Sequence, residues 1–155
     1  MEKAVRPKVL GGINVKSVTG CGNMYIQLGW CKGRLFEIFA TLGKAGGCAT
    51  CFNESLTRSI TTGLRCGVDV SEYIRQLRGV RCPTPMPFPK EDSVMSCPDA
   101  IGRVLEVYGS LTAEGMIKLV LELEAPQNGQ SDEEEMREAV KRMEELKKVR
   151  EESNL

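Results

Sequence analysis

The run Ser96-Cys97-Pro98-Asp99-Ala100-Ile101 constrains this chain more than any other stretch. Ser96 with Asp99 three residues on reads as a capping box with a short acid. Pro98 falls in the first turn, where a missing N–H costs nothing. A helix therefore starts here, with Ile101, Val104, Leu105 and Tyr108 as an apolar face at helical spacing. Cys97 lies at the positive end of that helix, where the dipole and free N–H groups favour thiolate over thiol. Such a thiolate serves as nucleophile or as metal ligand, and its neighbours decide which.

The chain around this helix has 155 residues, 41% of them apolar, enough for one domain of about 100–130 residues with its own core. No apolar run approaches the roughly 18 residues of a membrane span. Met1-Glu2-Lys3-Ala4-Val5-Arg6-Pro7 lacks the apolar stretch of a signal peptide, which predicts a cytoplasmic protein with reduced cysteines. There are seven cysteines, an odd count that fits a disulfide framework poorly. Histidine is absent. That removes the commonest general base, the cobalamin-ligating histidine motif and every mixed His/Cys zinc site. Any zinc here must be held mainly by thiolates. Net charge is zero, but residues 132–152 carry nine acids and six bases, which leaves +3 on the rest. This is a mild bias toward nucleic acid.

Taken in order, residues 1–10 read as an extended lead-in containing Pro7. Alternation over Ile13–Val18, turn chemistry at Thr19-Gly20-Cys21-Gly22-Asn23, a run at Met24–Leu28, a turn at Cys31–Arg34 and a run at Leu35–Ala40 predict an antiparallel meander. Gly43-Lys44-Ala45-Gly46-Gly47 follows, directly before a helix predicted over 49–65. Its glycines and Lys44 suit either an anion-binding nest or a tight strand-to-helix turn. The Gly-Lys-Ser/Thr ending of a phosphate loop is missing. Glu54 and Arg58 are spaced for an i, i+4 ion pair. Asp69 or Ser71 caps a short helix carrying Tyr73, Ile74 and Leu77.

Residues 82–95, with four prolines, read as a loop held only if its ends at Cys82 and Cys97 are held. The segment 113–124 is ambiguous between helix and strand and is read as helix. A linker at 127–130 leads to a helix capped by Ser131, acidic first and basic last, in keeping with the dipole. Its stripe of Met136, Val140, Met143, Leu146 and Val149 suits packing, self-association through 131–151, or simple solvation.

The cysteines carry most of the chemistry. Cys48 and Cys51 form a C-x-x-C, either a redox dithiol or half a zinc site. Cys21 lies between glycines, Cys48 follows two, and Cys82 and Cys97 each precede a proline. Those are turns and helix starts, where distant thiolates can converge. Cys31, Cys51 and Cys66 lack that setting, and Cys66 reads as a small buried residue.

The order Thr19-Gly20-Cys21-Gly22, Phe36-Glu37-Ile38-Phe39, Gly43–Cys48, Glu54 with Arg58, Gly67-Val68-Asp69, Gln76–Pro83 and Ser96–Ile101 resembles the TSCPD domain. That domain is met near the C-terminus of cobalamin-dependent ribonucleotide reductases and as a free-standing protein. The likeness spans about residues 6–108. It departs at the first letter of the signature, where Met95 stands in place of Thr.

The resemblance implies a small α+β domain; with the strand and helix readings above it gives a domain over residues 1–126, a small antiparallel sheet packed against helices, while the separate C-terminal helix read in 127–155 lies outside the likeness. It implies that Cys21, Cys48, Cys82 and Cys97 form one structural zinc site, with Cys51 either displacing Cys48 or staying free. The reductase reaction needs a far larger barrel, so the expectation is an accessory domain that binds no cobalamin. Its partner is then nucleic acid, a nucleotide or a larger protein, met through Gly43, Lys44, Gly46, Gly47, Arg58 and Arg81, with Arg34 and Arg78 beside them. A dithiol relay through Cys48 and Cys51 and a helix-driven scaffold are the alternatives.

Overall fold

A computed structural model describes residues 2–43, 47–86, 93–112, 115, 118 and 119. The chain divides into two compact units, Met1–Leu111 and Thr112–Leu155. The first is α+β, as expected. It runs β1 (Gly11–Thr19), β2 (Gly22–Cys31), β3 (Arg34–Leu42), α1 (Cys48–Arg65), α2 (Val70–Leu77) and α3 (Cys97–Tyr108).

The three strands form the expected meander, in the order β1-β2-β3 and antiparallel throughout. The β2–β3 turn is the two residues Lys32 and Gly33, with φ of 51° and 76°. Left-handed backbone at both positions is what a tight hairpin needs to match the strand twist. A bulge at Gly29/Trp30 then shifts the register, so that Trp30 pairs with Leu35 and Gly29 with Glu37.

One face of the sheet carries Met24, Ile26 and Leu28 from β2 and Ile38 from β3 into the core. Ile60 of α1 and Ile101 and Leu105 of α3 meet them there, all at most 2% exposed. Each such aliphatic side chain stabilises the fold by about 1.5–3 kcal/mol. α1 packs on β3, α2 on α3, and α3 reaches both β1 and β2. β3 is an edge strand, and its outward backbone groups need partners. Thr61 of α1 supplies one, accepting from Ile38 N (3.0 Å) and donating to Ile38 O (2.9 Å).

The helix ends follow the sequence. Asp69 caps α2 by accepting from Ser71 N at 2.8 Å, which settles the choice between the two residues. Ser96 caps α3 by accepting from Asp99 N at 3.1 Å. The second half of a capping box is replaced: the Asp99 carboxylate reaches Met95 N (3.0 Å) and Gly79 N (2.8 Å) instead of Ser96 N. The Glu54–Arg58 pair forms on the exposed side of α1 at 2.6 Å. Of the segment read as helix over 113–124, Gly115, Lys118 and Leu119 are helical. The linker at 127–130 and the helix over 131–151 lie outside the described residues. No helix among the described residues is long and apolar enough to cross a membrane.

Candidate metal centre

Three sequence-distant segments meet beside the start of α3. The first is the β1–β2 turn, where Gly20 packs so closely on residue 84 that a Cβ there would stand 1.7 Å from the Thr84 carbonyl oxygen. Only glycine allows that approach, and it brings Cys21 beside the 82–84 segment of the loop. The second segment is the loop itself, whose ends are fastened by main-chain bonds. Cys82 N donates to Met95 O (3.1 Å), and Met86 and Val94 exchange N–H···O bonds of 2.8 and 2.9 Å. The third is the first residue of α3, Cys97, 7% exposed.

Two threonine hydroxyls order the thiols. Buried Thr19 donates to Gly22 O (2.9 Å) and accepts from Cys21 N (3.2 Å) and from the Cys97 thiol (Sγ to Oγ1 3.7 Å). Thr84 Oγ1 stands 3.8 Å from Cys82 Sγ and also bonds to Cys21. The Cys21 thiol is pushed above its ordinary pKa, first by desolvation, then by Cys97 through charge and a hydrogen bond, then by Cys82; the Thr84 bond only partly offsets this. Burial and the neighbouring sulfurs thus disfavour a bare thiolate at Cys21.

The other sequence-expected ligand stands apart in kind. Cys48 opens α1 and is exposed, as is Cys51 one turn on. Cys48 is not among the groups that act on Cys21, and the segment 44–46 leading to it lies outside the described residues. Among the described residues no group of three or more Cys, Asp or Glu side chains is arranged to hold a metal ion. The three sulfurs are neighbours, not a coordination shell. Cys31 and Cys66 are half-buried, so Cys66 is less enclosed than its apolar flank suggests.

Of the expected anion-binding residues, Gly43, Gly47, Arg58 and Arg81 are among the described residues. Gly43 is exposed and donates its N–H to Asn23 O (2.8 Å), and Gly47 caps α1 without a side-chain hydrogen bond. Lys44 and Gly46 lie outside the described residues. Arg58 sits eleven residues after Gly47, about 16 Å along α1, tied to Glu54. Arg81 is exposed near Cys82. Arg78, expected on the same surface, is structural: its guanidinium bonds Asp99 Oδ1 and Glu106 Oε2, each at 2.8 Å.

That pairing reveals what the sequence reading missed. Asp99, fully buried, accepts from Arg78, Gly79 N, Met95 N and Arg103 Nε (3.1 Å). Burial pushes its pKa up, but the Gly79 and Met95 N–H groups with Arg103 outweigh that and hold it below the usual value. The carboxylate thus ties the chain just before Cys82 to the chain just before Cys97. Ser96 adds a bond from its hydroxyl to Val80 O. The spacing of Ser96 and Asp99 was the visible signal; the reach of the acid to residues 78 and 79 was not in it.

The described residues thus form a small α+β domain in which a hairpin turn, a clamped loop and a helix start, each carrying a thiol, come together. The chain belongs to the TSCPD domain family, which matches residues 2–109. No curated protein and no solved structure matches it significantly.

Proposed function

We propose that this chain is an accessory domain, akin to the C-terminal domain of cobalamin-dependent ribonucleotide reductase, stapled by a structural zinc ion and acting by binding. The observation that supports it is the meeting of Cys21, Cys82 and Cys97 from three separate segments. The donor set suits zinc held by thiolates alone, since the chain has no histidine. Cys48 is the proposed fourth ligand. When bound, the ion supplies the charge that lets adjacent thiols ionise together. The protein's own residues prepare the place: Gly20 admits the turn, Thr19 and Thr84 orient the sulfurs, and Asp99 fixes the two loop ends. A site closed by four sulfurs leaves no open position for substrate, so its work is to hold the loop.

The metal content of the full chain purified without added metal tests this. About one zinc per chain is expected, lost in Cys97→Ser, weakened in Cys48→Ser and unchanged in Cys51→Ser. A parent protein free of metal, or a Cys97→Ser variant that retains it, would overturn the reading.

The exposure of both Cys48 and Cys51 on the first turn of α1 favours a second reading, a dithiol relay that closes to a disulfide while passing two electrons and two protons to a disulfide of a larger reductase, which is reduced to its dithiol. It predicts the opposite pattern: Cys51→Ser abolishes thiol–disulfide exchange, while Cys97→Ser leaves it intact.

A further inference from the structure

The face of the sheet turned away from the core is neither apolar nor bare. Register places Lys16, Tyr25 and Thr41 in one row across β1, β2 and β3, and Asn14, Gln27 and Phe39 in the next. Tyr25 is 37% and Phe39 39% exposed. Tyr25 and Phe39 occupy diagonal positions on adjacent strands, positions that in paired strands lie about 7–8 Å apart. Glu37 is the one acid on this face among the described residues, and Arg6 neutralises it through two bonds of 2.6 and 2.8 Å. Across residues 2–43 the bases are Lys3, Arg6, Lys8, Lys16, Lys32 and Arg34, against the acids Glu2 and Glu37. The acidic excess of the chain lies far along it, in 132–152.

We propose that this sheet face binds single-stranded nucleic acid, with Tyr25 and Phe39 stacking two successive bases and Lys16, beside Tyr25 on the strand away from Phe39, meeting the phosphate on the outer side of the base that Tyr25 stacks. Unpaired bases offer flat apolar faces to aromatic rings, and an antiparallel sheet holds such rings at fixed spacing without covering them. The positive bias of the sheet segment complements a polyanion. A second copy of the chain fits less well: the rings are ringed by Lys16, Asn14, Gln27 and Thr41, not by the dry apolar core a stable dimer buries. The proposal goes beyond the metal reading. The rings lie on the outer face and none of the three thiols does, so the two can fail separately.

The test is fluorescence anisotropy of the full chain with a labelled 20-residue oligodeoxythymidine and, in parallel, a 20-residue oligouridine. Saturable binding that weakens with salt is expected, with duplex DNA of equal length competing poorly. The two arms identify which sugar is preferred. Tyr25→Ala and Phe39→Ala should each weaken binding by about 5- to 150-fold while metal content stays at the parent's level. Lys16→Gln should lower the slope of log affinity against log salt by about 0.7, and it serves as the second variant should an aromatic replacement fail to fold. Flat titrations at low salt with both oligonucleotides would overturn the proposal. So would variants that bind as the parent does, or a self-association of the parent that Tyr25→Ala abolishes in place of any oligonucleotide binding.

Discussion

An Asp99→Asn chain should unfold with about 3–5 kcal/mol less free energy than the parent, the usual loss when one partner of a buried charge pair is removed. The side chain is wholly enclosed and accepts four hydrogen bonds, two from guanidinium groups and two from main-chain N–H groups. Asparagine keeps one acceptor oxygen and turns an NH2 toward donors on the other side, so at least one N–H and one arginine lose their partner. Since a domain of this kind has only about 5–15 kcal/mol in total, the urea midpoint should fall by about a fifth or more. A loss under about 1 kcal/mol, the worth of an ordinary surface pair, would contradict the clamp.

The same carboxylate sets an acid limit. Its pKa is lower in the folded chain than in the unfolded one, where it is about 3.9. Its contribution is therefore complete above pH 4 to 5 and is lost as pH falls through the folded value. The parent's urea midpoint should drop on acidification below about pH 4, and the midpoint of Asp99→Asn should be flatter over the same interval.

Metal removal should have an effect of comparable size. With free metal about a thousandfold above its dissociation constant, the folded state gains about 4 kcal/mol. At roughly 4 °C per kcal/mol for a domain near 100 residues, a strong chelator should lower the thermal midpoint by about 15 °C. Cys97→Ser should start low and ignore the chelator, whereas Cys31→Ser should respond as the parent does. A parent whose midpoint is untouched by chelation would show that the thiols support the loop without a cation.

Much of this was written locally enough to be read. The period-2 runs and glycine turns gave the meander because hairpin pairing is set by neighbours in sequence. The Ser96 cap and the Asp69 cap were legible because capping joins residues two or three apart. What escaped was long-range. Nothing local says that Asp99 reaches back to Arg78 and Gly79, or that Thr61 satisfies the edge of β3, since both depend on how α2 packs on α3 and α1 on β3. Nor does a departure such as Met95 matter as its side chain suggests: that residue serves the clamp through its main-chain N–H and Cys82 through its carbonyl, which any residue but proline supplies. Cys21, Cys48, Cys82 and Cys97 were picked out by their turn, glycine and proline settings; Cys97 and Cys82 act on Cys21, and Cys48 is not among the groups that do. Thr19 looked like an ordinary turn residue because the thiol its hydroxyl accepts from, Cys97, lies 78 residues further along the chain.

The most direct measurement is X-ray absorption at the zinc edge on the full chain. A first shell of about four sulfurs near 2.3 Å, falling by one sulfur in Cys48→Ser and vanishing in Cys97→Ser, is what gathering of these thiols around one ion requires. A shell of oxygen or nitrogen neighbours, indifferent to replacement of Cys21, Cys82 or Cys97, would contradict it.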